Sequence, residues 1–171
     1  MQDIEQIYTK YAVQVYKYLF SLCHDPHTAE ELTQETFFRA MKSIDSFRGD
    51  CRLYVWLCQI AKNLWIKEVK QSQRTAVYEP EKEIPSDAMQ PDEELIARDE
   101  RLYLYKRLHQ LPEPVREVMY LRISGDFSFR EIGEILGRDE NWARGTFYRG
   151  KQKIREENRH ESVEPGFFEY R

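Results

Sequence analysis

The sequence predicts an all-α protein: two small helical domains joined by a flexible acidic linker, the second a four-helix type domain with a helix-turn-helix. Apolar residues recur at helical spacing in both halves of the 171-residue chain, and an acidic, proline-containing stretch separates these halves. The chain has only seven glycines and no long alternation of apolar and polar residues, so no strand is expected. The predicted boundaries are 1–75, 76–94 for the linker, 95–158 for the second domain and 159–171 for a tail.

A single apolar stripe predicts the first helix, from about Asp3 to Cys23. Its members recur three or four residues apart, as on one helix face: Ile4, Ile7, Tyr8, Tyr11, Val15, Leu19 and Leu22. Asp25 and Pro26 then start a second helix, because Asp caps helix N-termini and Pro fits the first helical position.

The second helix has an inward face and a polar outward one. Ala29, Leu32, Thr36, Phe37, Ala40 and Ile44 are expected to face inward. The residues left on other faces are Glu31, Gln34, Glu35 and Phe38. A solvated surface would explain the three polar residues, whereas an exposed Phe38 among them indicates a protein partner.

The periodicity breaks at residues 47–50, and a third helix is predicted from about Arg52 to Gln73. Its cationic residues, opposed only by Glu68, are Lys62, Lys67, Lys70 and Arg74. Aromatic residues lie among them, and aromatic plus cationic side chains suit single-stranded nucleic acid, which requires stacking surfaces and phosphate neutralisation. Most of the aromatics are nevertheless expected in the core, and Trp56 is expected to be packed rather than stacked on a base.

The excess negative charge lies in one segment. Residues 76–100 hold nine acidic and two basic side chains together with Pro80, Pro85 and Pro91, a composition typical of an extended linker. The net charge of −4 therefore does not argue against a nucleic-acid partner for the flanking domains.

Residues 128–155 predict a helix, a tight turn and a second, basic helix. Ser128 and Glu131 form an S-x-x-E capping box, Gly137 supplies the left-handed stop and Asp139 can cap the next helix. From Asn141 to Arg155 there are five basic residues and no acidic one. This pattern favours DNA binding by a helix-turn-helix, although a helical hairpin with a solvated basic face has a similar sequence.

Other site types find little support. The three cysteines are expected to be free thiols, and Cys23, His24 and His27 lack a second ligand pair at metal spacing, so no metal is expected. No nucleotide-binding or catalytic motif is present, which predicts neither a cofactor nor an enzyme. The absence of a signal peptide or a long apolar run predicts a cytoplasmic chain.

Three stretches, in order, resemble conserved regions of bacterial sigma factors. They are DPHTAEELTQETFFRAM (25–41), FRGDCRLYVWLCQIAKNLWIKEVKQSQR (47–74) and LPEPVREVMYLRISGDFSFREIGEIL (111–136), the last followed by the basic helix. The second resembles the promoter-melting segment and the third the carboxy-terminal helix-turn-helix. A short chain with only these two domains is similar to the extracytoplasmic-function (ECF) group of the sigma-70 superfamily, and the resemblance covers about residues 4–156.

The resemblance implies a subunit of bacterial RNA polymerase that recognises the promoter −35 and −10 elements and promotes DNA melting. The implied contacts with the coiled coil of the largest polymerase subunit are Glu31, Gln34, Glu35 and Phe38. Those implied for the melted −10 strand are Arg48, Arg52, Lys62, Asn63, Lys67, Lys70 and Arg74. Those implied for the −35 duplex are Asn141, Trp142, Arg144, Tyr148 and Arg149, with Lys151 and Lys153 on phosphates. An anti-sigma factor, often membrane-bound in this family, is a further implied partner.

Some residues depart from the family pattern. Asn141, Trp142 and Ala143 stand where Gly-Thr-Val is common, so the −35 preference of relatives does not transfer. Lys67 stands where Asp is common. Gly133 replaces a frequent Ala and is expected only to weaken its helix by up to about 1 kcal/mol.

Two other classes of function fit parts of the sequence. A stand-alone helix-turn-helix regulator would bind duplex DNA without polymerase. An adaptor that uses its helical faces to bind proteins would show no salt-dependent affinity for DNA. The aromatic and basic helix from Tyr54 to Arg74 favours the sigma-factor interpretation over both.

Overall fold

The computed structural model describes residues 4–75, 104 and 106–160, and within these residues it contains helices and no strand. The helices are α1 Ile4–Cys23, α2 Pro26–Ser43, α3 Leu53–Thr75, α4 Val115–Ile123, α5 Phe129–Leu136 and α6 Glu140–His160. A 3-10 turn, Ile44–Ser46, follows α2, and residues 106–110 are helical before α4. The all-α prediction is confirmed.

Two predicted segments fall outside the described residues: the acidic linker of residues 76–94, and residues 161–171 of the tail with their aromatic side chains. Among the helices that are described, none is both long and apolar enough to cross a bilayer.

Helices α1, α2 and α3 pack together around the predicted inward faces. On α1 the stripe residues Ile7, Val15, Leu19 and Leu22 are buried. Tyr8 is the exception: it lies at the margin of the stripe, where its ring meets Phe37 at a centroid distance of 4.9 Å and its other side faces solvent.

The start of α2 follows from its capping residues. The Asp25 carboxylate accepts the Thr28 backbone N–H at 2.9 Å and the Thr28 hydroxyl at 2.7 Å, and Pro26 occupies the first helical position. His24, immediately before the cap, has a φ of 54°. The predicted restart of the chain at Asp25 and Pro26 is confirmed.

The carboxy-terminal half has a small core of its own, formed by Leu108, Leu111, Met119 and Ile154. The helix-turn-helix contacts this core through Phe147, which packs against it. Ser128 and Glu131 form the predicted capping box, in which each side chain accepts a hydrogen bond from the backbone N–H of the other residue.

The expectation for Gly133 is wrong. A Cβ atom at this position would lie 2.6 Å from the backbone oxygen of Arg138 and 3.0 Å from the carbonyl carbon of Asp139. Because the turn after α5 folds back directly onto Gly133, the missing side chain is required for that turn and is not merely tolerated in the helix.

The two halves share one continuous core. Val118, Leu121, Phe127 and Ile132 belong to the same buried cluster as α1, α2 and α3, and the rings of Tyr54 and Phe127 lie 4.8 Å apart between centroids. This interface was not predicted from the sequence, because an acidic, proline-containing linker indicates two separate units. The packing places α5 directly against α3 and α4 against α1.

Candidate nucleic-acid interfaces

The helix-turn-helix consists of α5, a tight turn and α6. The turn begins at Gly137, whose φ of 67° and ψ of 37° lie in the left-handed region that glycine adopts without strain. Asp139 then accepts the backbone N–H of Trp142 at 2.7 Å and caps α6. Both predicted boundaries of the turn are confirmed, so α6 is the basic helix identified in the sequence.

Most of the predicted −35 residues lie on the exposed surface of α6. The exposed ones are Asn141, Arg144, Tyr148, Arg149 and Lys153, and Tyr148 is 56% exposed. Lys151 is half-buried, with its ammonium group 5.7 Å from the Tyr148 ring centroid. The opposite face holds the buried Ala143 and Ile154 and the half-buried Phe147, which attach the helix to the domain.

Trp142 is placed differently from the other predicted −35 residues. Its indole is half-buried and packs against the main core, and the Arg138 guanidinium lies 5.4 Å from its ring centroid. Trp142 therefore supports the start of α6, and only part of its ring is available to DNA.

Two cationic side chains of α6 are held by residues of the same helix. Arg144 forms an ion pair with Glu140 one turn earlier, and Arg149 donates to the Thr146 hydroxyl at 2.8 Å. An exposed i,i+4 ion pair such as that of Arg144 with Glu140 is worth only about 0.3–0.5 kcal/mol. Both contacts orient the guanidinium groups, and the ion pair is weak enough to be exchanged for contacts with a ligand.

The predicted −10 residues fall into two groups on α3 and the loop before it. Arg48, Asn63, Lys67, Lys70 and Arg74 are exposed with their side chains on the surface. Arg52 and Lys62 are instead engaged by acidic residues of the carboxy-terminal half. Trp56 is half-buried against Phe47, at a ring centroid distance of 5.0 Å, so its expected packing is confirmed.

The Lys62 ammonium donates to both carboxylate oxygens of Glu117, at 2.9 and 2.7 Å. The Tyr18 hydroxyl donates to the same carboxylate at 2.7 Å. Burial raises the pKa of Tyr18 well above its ordinary value, and the charge of Glu117 raises it further, so the hydroxyl stays protonated and acts as a donor. Glu117 is only 4% exposed.

Arg52 forms a second link between the halves. Its guanidinium contacts both carboxylate oxygens of Glu131, through Nε and through Nη2, the latter at 2.9 Å. Burial, the largest single influence on Glu131, raises its pKa, but hydrogen bonds from Arg52 and from Ser128 outweigh burial, and the pKa is lowered. The bidentate geometry is the one that guanidinium groups also use with phosphates.

The outward face of α2 holds the predicted polymerase contacts. Glu31 and Gln34 are exposed, Glu35 is half-buried in an ion pair with Arg39 at 2.7 Å, and Phe38 is 47% exposed. The Lys42 ammonium lies 4.0 Å from the Phe38 ring centroid. Sequence reasoning missed Met41, which is also exposed; its three-residue spacing from Phe38 was the signal that could have identified it.

Two family descriptions match this chain: Sigma-70 region 2 over residues 7–75, and Sigma-70, region 4 over residues 101–154. RNA polymerase sigma factor YlaC of Bacillus subtilis is 29% identical over 156 residues, which cover 90% of each protein. ECF RNA polymerase sigma factor SigW of the same species is 26% identical over 167 residues, which cover 92% of this chain and 88% of SigW.

Solved structures show the same fold. The sigma factor RpoE of Bartonella quintana, in complex with the anti-sigma factor NepR, superposes with a TM-score of 0.70 at 22% identity, covering 91% of this chain and 96% of RpoE. CnrH, in complex with the cytosolic domain of CnrY, gives 0.63 at 21% identity, covering 93% of this chain and 89% of CnrH. With both sigma-70 regions present in order, the chain belongs to the ECF group of the sigma-70 family, the promoter-recognising sigma factors of RNA polymerase.

Proposed function

We propose that this chain binds bacterial core RNA polymerase, reads the −35 duplex with α6, holds the unpaired −10 strand with α3 and so promotes DNA opening. One observation carries the proposal: this member of the family has two exposed cationic helices. One is α6 of the capped helix-turn-helix, and the other is α3. The reaction itself would belong to the polymerase, in the bacterial cytoplasm.

For the −35 element, the exposed end of α6 provides both kinds of contact that specific binding requires. Asn141, Arg144 and Arg149 carry amide and guanidinium groups suited to base edges in the major groove. Lys151 and Lys153, further along the helix, would neutralise phosphates and set the register without reading sequence.

For the −10 element, α3 provides charge rather than aromatic surface. Lys67, Lys70 and Arg74 are exposed along its second half and would neutralise the backbone of a single strand, while Asn63 supplies an exposed amide for a base edge. Unpairing a base costs a few kcal/mol, and these contacts would offset that cost.

For polymerase binding, the outward face of α2 combines charge with apolar surface. Phe38 and Met41 form a small exposed apolar patch, flanked by Gln34 and Glu35. Protein interfaces commonly have an apolar centre and a polar rim, and this patch with its polar neighbours has that composition. We further propose an anti-sigma partner for this chain, since RpoE is seen in complex with the anti-sigma factor NepR.

Co-purification with core polymerase tests the proposal. The expected result is a stable complex of the chain with core polymerase. From a library of DNA duplexes, this complex should retain those that carry both the −35 and the −10 element. The alternative, a stand-alone regulator, predicts tight binding to a palindromic duplex without polymerase and no complex with core enzyme. The observation against it is that α3, a helix that a regulator would not need for duplex DNA, exposes the cationic residues Lys67, Lys70 and Arg74.

A further inference from the structure

Helix α6 contains two glycines, Gly145 and Gly150, although glycine is among the poorest helix formers. Gly150 is required by packing: a Cβ atom there would lie 2.8 Å from the sulphur of Met119 and 2.9 Å from Cγ1 of Val115, both on α4. Gly145 is different, because a Cβ atom there would meet only the Arg149 guanidinium, at an ordinary contact distance of 3.7 Å. Within the part of the chain that the structure describes, packing does not require a glycine at position 145.

Gly145 lies on the side of α6 that faces away from the domain. The buried residues of the helix form the opposite side: Ala143, Thr146, Gly150 and Ile154. With about 3.6 residues per turn, the neighbours of Gly145 on the exposed side are Asn141, Tyr148 and Arg149. All three are exposed, and Gly145 is half-buried between them. The side of α6 that is proposed to enter the major groove therefore has a notch near its centre, with helix backbone as its floor.

The notch weakens the fold and gains nothing for it. Glycine in a helix interior lowers stability relative to alanine, because glycine loses more backbone freedom on folding. A residue that breaks a local rule without a gain in packing is expected at a functional position. Glycine is the residue that lets a backbone approach a ligand closely, and for a helix that reads DNA this ligand is a base edge.

The chemistry of the notch selects the group that fits it. Gly145 has no side chain that could form a hydrogen bond, so the notch offers contact rather than polar recognition. Among the groups that base pairs present in the major groove, the C5-methyl of thymine is the apolar one. This methyl group has the size of the side chain that glycine lacks relative to alanine. The ring of Tyr148, which is 56% exposed, provides apolar surface beside the notch.

We propose that the notch at Gly145 receives the C5-methyl group of a thymine in the −35 duplex, so that Gly145 determines the preference for thymine at that position. The proposal rests on the proposed function, because it takes α6 as the helix in the major groove. Asn141 and Arg149, which flank the notch, would read neighbouring bases through hydrogen bonds. The notch adds an apolar contact to these polar ones.

Gly145→Ala fills the notch with a methyl group of the protein itself. Because alanine favours a helix, the variant should melt about 2–4 °C higher than wild type, so a loss of binding would not reflect unfolding. The matching change in the DNA is uracil in place of thymine, which removes the C5-methyl and keeps the base pair. The two changes together form a double-mutant cycle on a single contact.

The measurement begins with selection of a −35 element from a duplex library by the wild-type chain in complex with core polymerase. Each thymine of the selected element is then replaced singly by uracil. We expect one position at which the wild-type complex binds the thymine duplex roughly fourfold more tightly than the uracil duplex, the value of one buried methyl group.

At that position Gly145→Ala should reverse the preference and bind the uracil duplex more tightly. The new Cβ would collide with the thymine methyl, whereas it would fill the space left beside uracil. Thymines outside the selected element serve as the control, and uracil at those positions should leave the affinity of both proteins unchanged.

The outcomes separate the notch from the proposed function. Equal ratios of thymine to uracil affinity in wild type and in Gly145→Ala, at every position of the element, would overturn the notch and leave the proposed function standing. A selected element without thymine would have the same meaning. Failure of the wild-type complex to select any −35 sequence would overturn both.

Discussion

The Lys62 ammonium group lies 2.9 and 2.7 Å from the two carboxylate oxygens of Glu117, although the two residues belong to different halves of the chain. This ion pair joins α3, proposed to hold the melted strand, to α4, which supports the helix-turn-helix. The two proposed DNA-binding elements are therefore packed together in the free chain, whereas promoter binding would require them to reach separate elements.

Gly133→Ala should destabilise the protein by about 1–3 kcal/mol, the usual cost of overpacking. The new Cβ would lie 2.6 Å from the Arg138 backbone oxygen, and backbone cannot move aside as a flexible side chain can. Urea denaturation measures the change. Gly145→Ala is the matched control, because its Cβ would meet only the Arg149 side chain at 3.7 Å and alanine favours a helix by about 1 kcal/mol. Equal stability of the two variants would contradict the account.

Arg144→Ala and Lys153→Ala should affect DNA binding in different ways. Loss of a guanidinium group that reads a base should cost roughly 1–3 kcal/mol and relax specificity at one position. Loss of a phosphate contact at Lys153 should weaken binding to all sequences similarly. It should also lower the slope of log affinity against log salt concentration by about the value of one phosphate contact. Binding of a −35 library at several salt concentrations distinguishes them. An equal change of sequence preference in both variants would show that these roles are misassigned.

Phe38→Ala should reduce affinity for core polymerase at least about fivefold, the scale of a contact worth about 1 kcal/mol, without unfolding the chain. The reason is that Phe38 is 47% exposed, so little core packing is lost with its ring. Val13→Ala, which truncates an exposed apolar residue of α1, serves as the control. Affinity is measured by titrating labelled chain with core enzyme, and an equal effect of the two substitutions would argue against a polymerase site on α2.

His24 should make the folded state sensitive to mild acid. Burial lowers the pKa of His24, and the neighbouring His109 and Arg116 lower it further, so the folded chain takes up this proton less readily than the unfolded chain. The contribution to stability is complete above the unfolded pKa of about 6.5 and is lost as the pH falls through that value toward the lowered one.

His24→Asn removes this titration and keeps a residue that accepts the φ of 54° at this position. The variant should lose less stability than wild type between about pH 7 and pH 5. Melting temperatures measured against pH test this, with pH 8 as the reference at which any other effect of the substitution appears. If the melting temperature of the variant fell with pH as steeply as that of wild type, His24 would not couple folding to pH.

Local sequence signals predicted the local structure well. Asp25 with Pro26, Ser128 with Glu131, and Gly137 with Asp139 all occur at the helix ends they predict, because capping depends on residues within one turn of each other. The exposure of Phe38 and of most basic residues on α6 was also predictable, since a helix face is defined by spacing alone.

The contacts between the halves were not predictable in this way. Glu117 is charged and lies in a short helix, so a solvent-exposed position is its ordinary expectation. Its burial depends on Tyr18 and Lys62, which reach it only after the chain folds, and Tyr18 itself was not assigned to the apolar stripe of α1. Gly133 likewise reveals its role only when the Arg138 carbonyl is placed beside it.

Transcription from a pooled library of bacterial promoter fragments tests the central claim most directly. Core polymerase would be incubated with and without this chain, and the 5′ ends of the transcripts sequenced. The account predicts new start sites that require the chain and share two sequence elements upstream, and their yield should fall with Arg144→Ala. Start sites identical with and without the chain, in reactions where core polymerase responds to a known sigma factor, would contradict it.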